Sequence, residues 1–175
     1  MEMDQNFELG KLILSIKDGN LSAVSDIYMR VGKAMMATAY FYVRNLADAE
    51  DIVQDALVKI VERASKFRTN KNASAWINRI VSNLAKNKMG SYQRRKEVGL
   101  VNTKEITTKI DEFGIIVNEI FDLLTEKERH YIIYKFWYEC SFSEMAKIFH
   151  RSKSNVNYHF NKIIEKIKNF YNLGG

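Results

Sequence analysis

Residues 141–164 read SFSEMAKIFHRSKSNVNYHFNKII. Ser141 followed by Glu144 is the S-x-x-E pattern in which two side chains each satisfy the other's backbone amide at a helix start. Met145, Ala146, Ile148 and Phe149 give the helix that follows a short apolar face. Ser152 then offers a fresh cap, and Val156, Phe160, Ile163, Ile164 and Ile167 recur at helical spacing beyond it. A short helix, a tight turn and a longer helix predict a helix-turn-helix unit, with Ala146 letting the helices approach and Val156 packed in the angle between them. His150 stands in the turn where glycine is commonest, and histidine reaches left-handed backbone geometry more readily than a β-branched residue does.

Upstream, Thr125 and Glu128 form a second such box, ahead of a helix bearing Tyr131, Ile132, Ile133, Phe136 and Trp137. Ile115, Ile116, Ile120, Phe121 and Leu124 precede it. Between Gly90 and Gly114 the apolar pattern weakens, which places an interdomain linker there. The first half repeats the helical period: Phe7 to Ile16 in a short helix, Leu21 to Tyr42 in a long one, and Ala49, Val53, Ala56, Leu57 and Ile60 on one face of a third. Asp48, Asp51 and Asp55 fall on the other face of that third helix. After a polar stretch from Arg68 to Asn72, Ser74 or Asn72 can cap a basic helix carrying Trp76, Ile77, Ile80, Val81 and Leu84. The 175 residues contain no proline to interrupt this pattern. The expectation is an all-α protein of two small helical domains, residues 1–92 and 112–175, joined by a flexible linker at 93–111, the C-terminal domain being the helix-turn-helix one.

The net charge of +6 is unevenly spread. Residues 1–62 carry a net −4, residues 63–104 a net +10, residues 105–140 a net −4 and residues 141–175 a net +4. Alternating acidic and basic blocks suggest separate surfaces, some for a polyanion and some for a differently charged partner. The single cysteine, Cys140, has no second thiol for a disulfide or a multi-cysteine zinc site, which makes a reducing cytoplasm the default. No apolar run reaches the roughly 18 to 20 residues of a membrane helix, and the acidic start at Glu2 and Asp4 is unlike a secretory signal. A soluble, unprocessed protein without membrane insertion is expected. His130, Cys140, His150 and His159 are too few and too irregular for a zinc motif, and no Gly-rich loop opens a helix after a strand. No catalytic residues, metal or cofactor are therefore expected.

In a helix-turn-helix unit the exposed residues of the second helix enter the DNA major groove; here these are Lys153, Ser154, Asn157, Tyr158, Asn161 and Lys162. Asn157 and Asn161, one turn apart, suit adenine edges, and Lys153 at the helix start suits phosphate.

Three segments together resemble the bacterial RNA polymerase sigma-70 family, in particular its small two-domain extracytoplasmic function group. Residues 48–55, DAEDIVQD, are similar to the family's D-A-E-D-x-x-Q-[DE] segment, and residues 75–85, AWINRIVSNLA, to its promoter-melting helix. The third is the C-terminal unit preceded by LTEKER at 124–129. The resemblance implies a non-enzymatic promoter-specificity subunit whose partners are the RNA polymerase core, through its clamp coiled coil and flap, and promoter DNA; an anti-sigma factor is a further candidate partner. It implies that Asp48, Glu50, Asp51, Gln54 and Asp55 dock on the core. The minus 10 element would be held by Phe67, Arg68, Asn72, Arg79, Asn83, Lys86, Asn87 and Lys88, with Phe67 and Trp76 more readily read as core aromatics. Asn83 matches a family position implicated in promoter recognition. The recognition helix would read the minus 35 element, and neutral Asn157 and His159, where members often carry Arg, shift the expected preference toward A and T. Arg94, Arg95 and Lys96 would lie in a linker running through the RNA exit channel. A free-standing dimeric helix-turn-helix regulator is the main alternative, and a polymerase-binding scaffold a more remote one.

Overall fold

The computed structural model describes residues 5–69, 71–97 and 112–173. Among these there is no strand. The helices are α1 (Gln5–Lys17), α2 (Ala23–Val43), α3 (Leu46–Arg63), α4 (Ala73–Glu97), α5 (Glu112–Leu123), α6 (Glu126–Phe136), α7 (Phe142–Phe149) and α8 (Lys153–Leu173), with one 3-10 turn at Ala64–Lys66. The chain divides into two compact units, residues 1–108 and 109–175.

In the first unit α2, α3 and α4 pack on one another and α1 lies against all three. The apolar period explains the packing. Leu9, Ile13, Ile27, Met35, Ile52, Ile60 and Ile77 are fully buried, one set from each helix. α2 stops at Arg44, which turns into the left-handed region (φ 54°) and returns its amide to the Tyr40 carbonyl. Asn45 then caps α3, its side chain accepting from the Asp48 amide at 3.0 Å. Deep between α2 and α4 the Thr38 hydroxyl donates to Asn78 Oδ1 at 2.7 Å. This polar pair in an apolar interface sets the register of the two helices, because sliding either one would bury the two groups apart.

The start of α4 is anchored twice. Asn72, one of the two expected caps, accepts from the Ala75 amide at 2.8 Å. Asn6 on α1 accepts from the amides of Ala73 (2.6 Å) and Ser74 (3.2 Å). Ser74 itself is buried inside the helix. At its other end α4 continues to Glu97, so Arg94, Arg95 and Lys96, read from the sequence as linker, are exposed residues of its last turns. Gly90 weakens a helix by only about 1 kcal/mol relative to Ala, and the Gln, Arg, Lys and Glu residues that follow are good helix formers. The remainder of the expected linker, 98–111, lies outside the described residues.

In the second unit both expected capping boxes form, with Thr125 and Glu128 at the start of α6 and Ser141 and Glu144 at the start of α7. Ser152 accepts from the Asn155 amide at 3.2 Å as α8 begins. α7 and α8 are joined by a three-residue turn, and its first residue, His150, adopts φ 52° and ψ 49°. Val156, Met145 and Ile133 are fully buried, and Tyr131 stacks on Phe149 with ring centroids 4.2 Å apart.

Lys166 of α8 reaches Glu128 at 3.0 Å, tying the last helix to the start of α6. Burial alone would push the Glu128 carboxyl up, but hydrogen bonds from the Thr125 amide, Lys166 and the Thr125 hydroxyl outweigh it and hold it below its ordinary 4.5. A carboxyl lowered by folding adds stability that is present above its unfolded value and is lost as pH falls through the folded one. Thermal melts between pH 6 and pH 3 should therefore show a loss that steepens below about 4.5, and Glu128→Gln should flatten that slope.

Candidate functional site

α3 presents two chemistries along one helix. Its inner face is apolar, and its outer face begins acidic and ends basic. Of the five residues expected to dock on a partner, Glu50, Asp51, Gln54 and Asp55 are exposed and lie on consecutive turns of this face. Asp51, Gln54 and Asp55 line a cleft of about 480 Å³ whose far wall, on α4, is Leu84, Lys88 and Ser91.

Asp48 differs from its neighbours. Its carboxylate is half-buried, accepting from Lys88 at 2.8 Å and from the Tyr92 hydroxyl at 2.9 Å. Lys88 also reaches Asp51 at 3.3 Å. Burial favours the neutral lysine, yet the hydrogen bonds to Asp48 and Asp51 prevail and the ammonium is held above its ordinary range. The Tyr92 hydroxyl is likewise pushed up, by burial first and then by its bond to the Asp48 carboxylate. Such pairs contribute about 1 kcal/mol or less each to stability. Their geometric effect is larger, because they clamp the first turns of α3 to the last turns of α4. Lys88, expected among the DNA contacts, thus faces the acidic helix. Its charge is used there because α3 and α4 run antiparallel and bring positions 48 and 88 together.

The remaining minus 10 candidates separate by exposure. Phe67 is 4% exposed, packs edge-on to Trp76 (centroids 5.4 Å apart) and lies over Gly10; it is a core residue and offers no open face to a base. Asn72 is half-buried and its side-chain oxygen is occupied in capping α4. Arg68, Arg79, Asn83, Lys86 and Asn87 are exposed. Asn83, Lys86 and Asn87 line a second cleft, of about 490 Å³, completed by Ile80 and Leu84 of α4 and by Lys59 and Arg63 of α3. Lys59 and Arg63 were not singled out in the sequence, because only the antiparallel register of α3 and α4 brings them beside the asparagines. Leu84 borders both clefts.

On α8 all six candidates, Lys153, Ser154, Asn157, Tyr158, Asn161 and Lys162, are exposed, while Val156, Phe160 and Ile163 of the same helix are buried. The Lys162 ammonium lies 5.9 Å from the Tyr158 ring centroid, and the Ser154 and Ser152 hydroxyls are 3.1 Å apart. Cys140 is buried. Among the described residues no group of three or more His, Cys, Asp or Glu is placed to hold a metal ion, and no helix is long and apolar enough to cross a membrane.

The chain is similar to known proteins in sequence and in fold. Residues 27–95, which contain both clefts, match the family Sigma-70 region 2. The chain is 26% identical to the ECF RNA polymerase sigma factor SigW of Bacillus subtilis (strain 168), over 79% of this chain and 83% of that protein. Its fold resembles that of CnrH, solved in complex with the cytosolic domain of CnrY, with a TM-score of 0.68 at 20% identity over 98% of this chain and all of that one. It also resembles the sigma factor RpoE of Bartonella quintana, solved in complex with the anti-sigma factor NepR, with a TM-score of 0.62 at 18% identity over 85% of this chain and 96% of that one. Residues 27–95 thus match Sigma-70 region 2, and most of the chain is similar in sequence to an ECF sigma factor and shares its fold with CnrH and RpoE.

Proposed function

We propose that this chain is a dissociable, non-enzymatic sigma factor that binds core RNA polymerase and directs promoter recognition, strand opening and transcription initiation. The observation that carries this reading is the division of α3 and α4 into an acidic and a basic cleft inside the segment that matches Sigma-70 region 2. Glu50, Asp51, Gln54 and Asp55 dock on the clamp coiled coil of the core, where carboxylates meet basic side chains at a partly desolvated rim. Asp48 supports that face from within, through Lys88 and Tyr92.

Arg68, Arg79, Asn83, Lys86 and Asn87 contact the minus 10 element, with cations along phosphate and amides toward bases. The C-terminal unit reads the minus 35 element as duplex through Lys153, Ser154, Asn157, Tyr158, Asn161 and Lys162, and its partner on the core is the flap. The stretch 93–111 is the linker that joins the two domains, and its first five residues extend α4. An anti-sigma factor is a further partner in this reading, since the fold is shared with two proteins, one of them solved with an anti-sigma factor.

The test is reconstitution. The purified chain should bind bacterial core polymerase as a monomer and start transcription at defined positions on genomic DNA, neither component doing so alone. A dimer that binds a palindromic site without polymerase would overturn the proposal in favour of a free-standing regulator.

A further inference from the structure

The acidic cleft contains a cation of its own. Lys88 of α4 stands in its wall with Leu84 and Ser91, across from Asp51, Gln54 and Asp55 of α3. Its ammonium makes two contacts of unequal character. One, at 2.8 Å, goes to Oδ1 of Asp48, a side chain only 16% exposed whose Oδ2 accepts from the Tyr92 hydroxyl at 2.9 Å. The other, at 3.3 Å, goes to Asp51, whose side chain is 68% exposed. The first contact is an anchor, because a partly buried carboxylate that loses its cation is destabilising. Burial works against the charge on Lys88, but the bonds to Asp48 and Asp51 outweigh it and keep the ammonium protonated near neutral pH. The second contact is exchangeable, since an exposed pair is worth no more than about fivefold in an equilibrium constant.

Asp51 is therefore claimed twice. On the docking reading above it pairs with a basic side chain of the core, yet in the free chain it already shares the Lys88 ammonium. A close pair across a partly desolvated interface is stronger than an exposed one, so the arriving cation takes Asp51. Lys88 does not withdraw, because Asp48 and Tyr92 hold it in the cleft wall, and a like charge stays beside the arriving one. We infer that Lys88 is a built-in competitor for the docking face: anchored to Asp48, it occupies Asp51 in the free chain and holds the affinity for core polymerase below what the carboxylates of α3 alone would give. The inference rests on the docking proposal and goes beyond it, since a residue outside the docking helix sets how tightly that helix is held.

The test is a double-mutant cycle on the full chain, read as affinity for core polymerase at low and at high salt: wild type, Lys88→Gln, Asp51→Asn and the two combined. Lys88→Gln should bind core about three- to fivefold more tightly at low salt, the gain shrinking as salt screens it. Lys88→Arg, which keeps the cation, should bind like wild type. Asp51→Asn should lose more affinity once Lys88 is Gln than in wild type, because a carboxylate without its internal partner pairs fully with the core. Thermal midpoints show whether Lys88→Gln, which leaves Asp48 without its cation, folds as wild type does. Where it does not, Asp48→Asn/Lys88→Gln, which removes both charges of the anchor, takes its place in the cycle with the same expected direction of coupling. An Asp51→Asn loss that is equal or smaller in the absence of Lys88 overturns this inference alone; a smaller one would make Lys88 a support for Asp51 and not its competitor. A wild-type chain that fails to bind core overturns the function proposal and this inference with it.

Discussion

Asp51→Lys combined with Asp55→Lys should lower affinity for core polymerase by about two to three orders of magnitude and abolish transcription from the reconstituted enzyme. Close charge pairs across an interface are worth about 1.5 kcal/mol or more each. Reversing two of them replaces attraction by repulsion, and about 3–4 kcal/mol in total is that many powers of ten in affinity. The fold should not suffer. Asp55 is exposed and the Asp51 side chain is 68% exposed. Lys88 loses its longer partner at 3.3 Å but keeps Asp48 at 2.8 Å. Exposed substitutions of this sort stay within about 0.5 kcal/mol, so the thermal midpoint should be close to that of the unaltered chain. Fluorescence anisotropy of a labelled chain titrated with core reads the affinity. A double variant that bound and transcribed normally would show that α3 is not the docking helix.

Ile60→Ala should destabilise the N-terminal unit by about 2–5 kcal/mol, the usual cost of truncating a fully buried isoleucine when the surroundings close only partly over the gap. Ile60 is 0% exposed, whereas Val58, two residues earlier on the same helix, is 57% exposed. Val58→Ala should change stability by no more than about 0.5 kcal/mol. Urea denaturation of the two variants measures the contrast directly. It tests the rotational setting of α3, which decides whether the carboxylates face outward. Equal losses would mean that the helix is turned differently and that its acidic side is not the one presented.

What could be read from the sequence was local. Thr125 with Glu128, Ser141 with Glu144 and Ser152 with Asn155 are contacts three residues apart, and the residue types alone imply them. The left-handed turn at His150 follows from the same short-range geometry. The outward setting of the six α8 candidates follows from helical period, since Val156, Phe160 and Ile163 define the inner face. Contacts that depend on how helices meet were not legible. Asp48 to Tyr92, Thr38 to Asn78 and Asn6 to Ala73 span 44, 40 and 67 positions, and nothing in the local pattern pairs them. Lys88 was read as a DNA contact because it stands in a basic run, and only the antiparallel register shows it turned to Asp48. Phe67 illustrates the same limit: an aromatic beside a polar loop fits a base or a core equally well until its surroundings are known. The cap at Asn45, three residues before Asp48, was available as an Asn-x-x-Asp signal.

α1 acts as a clasp. Asn6 holds the first amides of α4, and Gly10 lies under the ring of Phe67, so the loop from Phe67 to Asn72 and the helix after it take their starting position from residues some sixty places earlier. Trimming or tagging the amino-terminal helix would consequently unfasten the distant surface proposed to hold the minus 10 element while leaving its own side chains untouched. On that proposal, deletions in this stretch would mimic promoter-contact mutants without removing a single such contact.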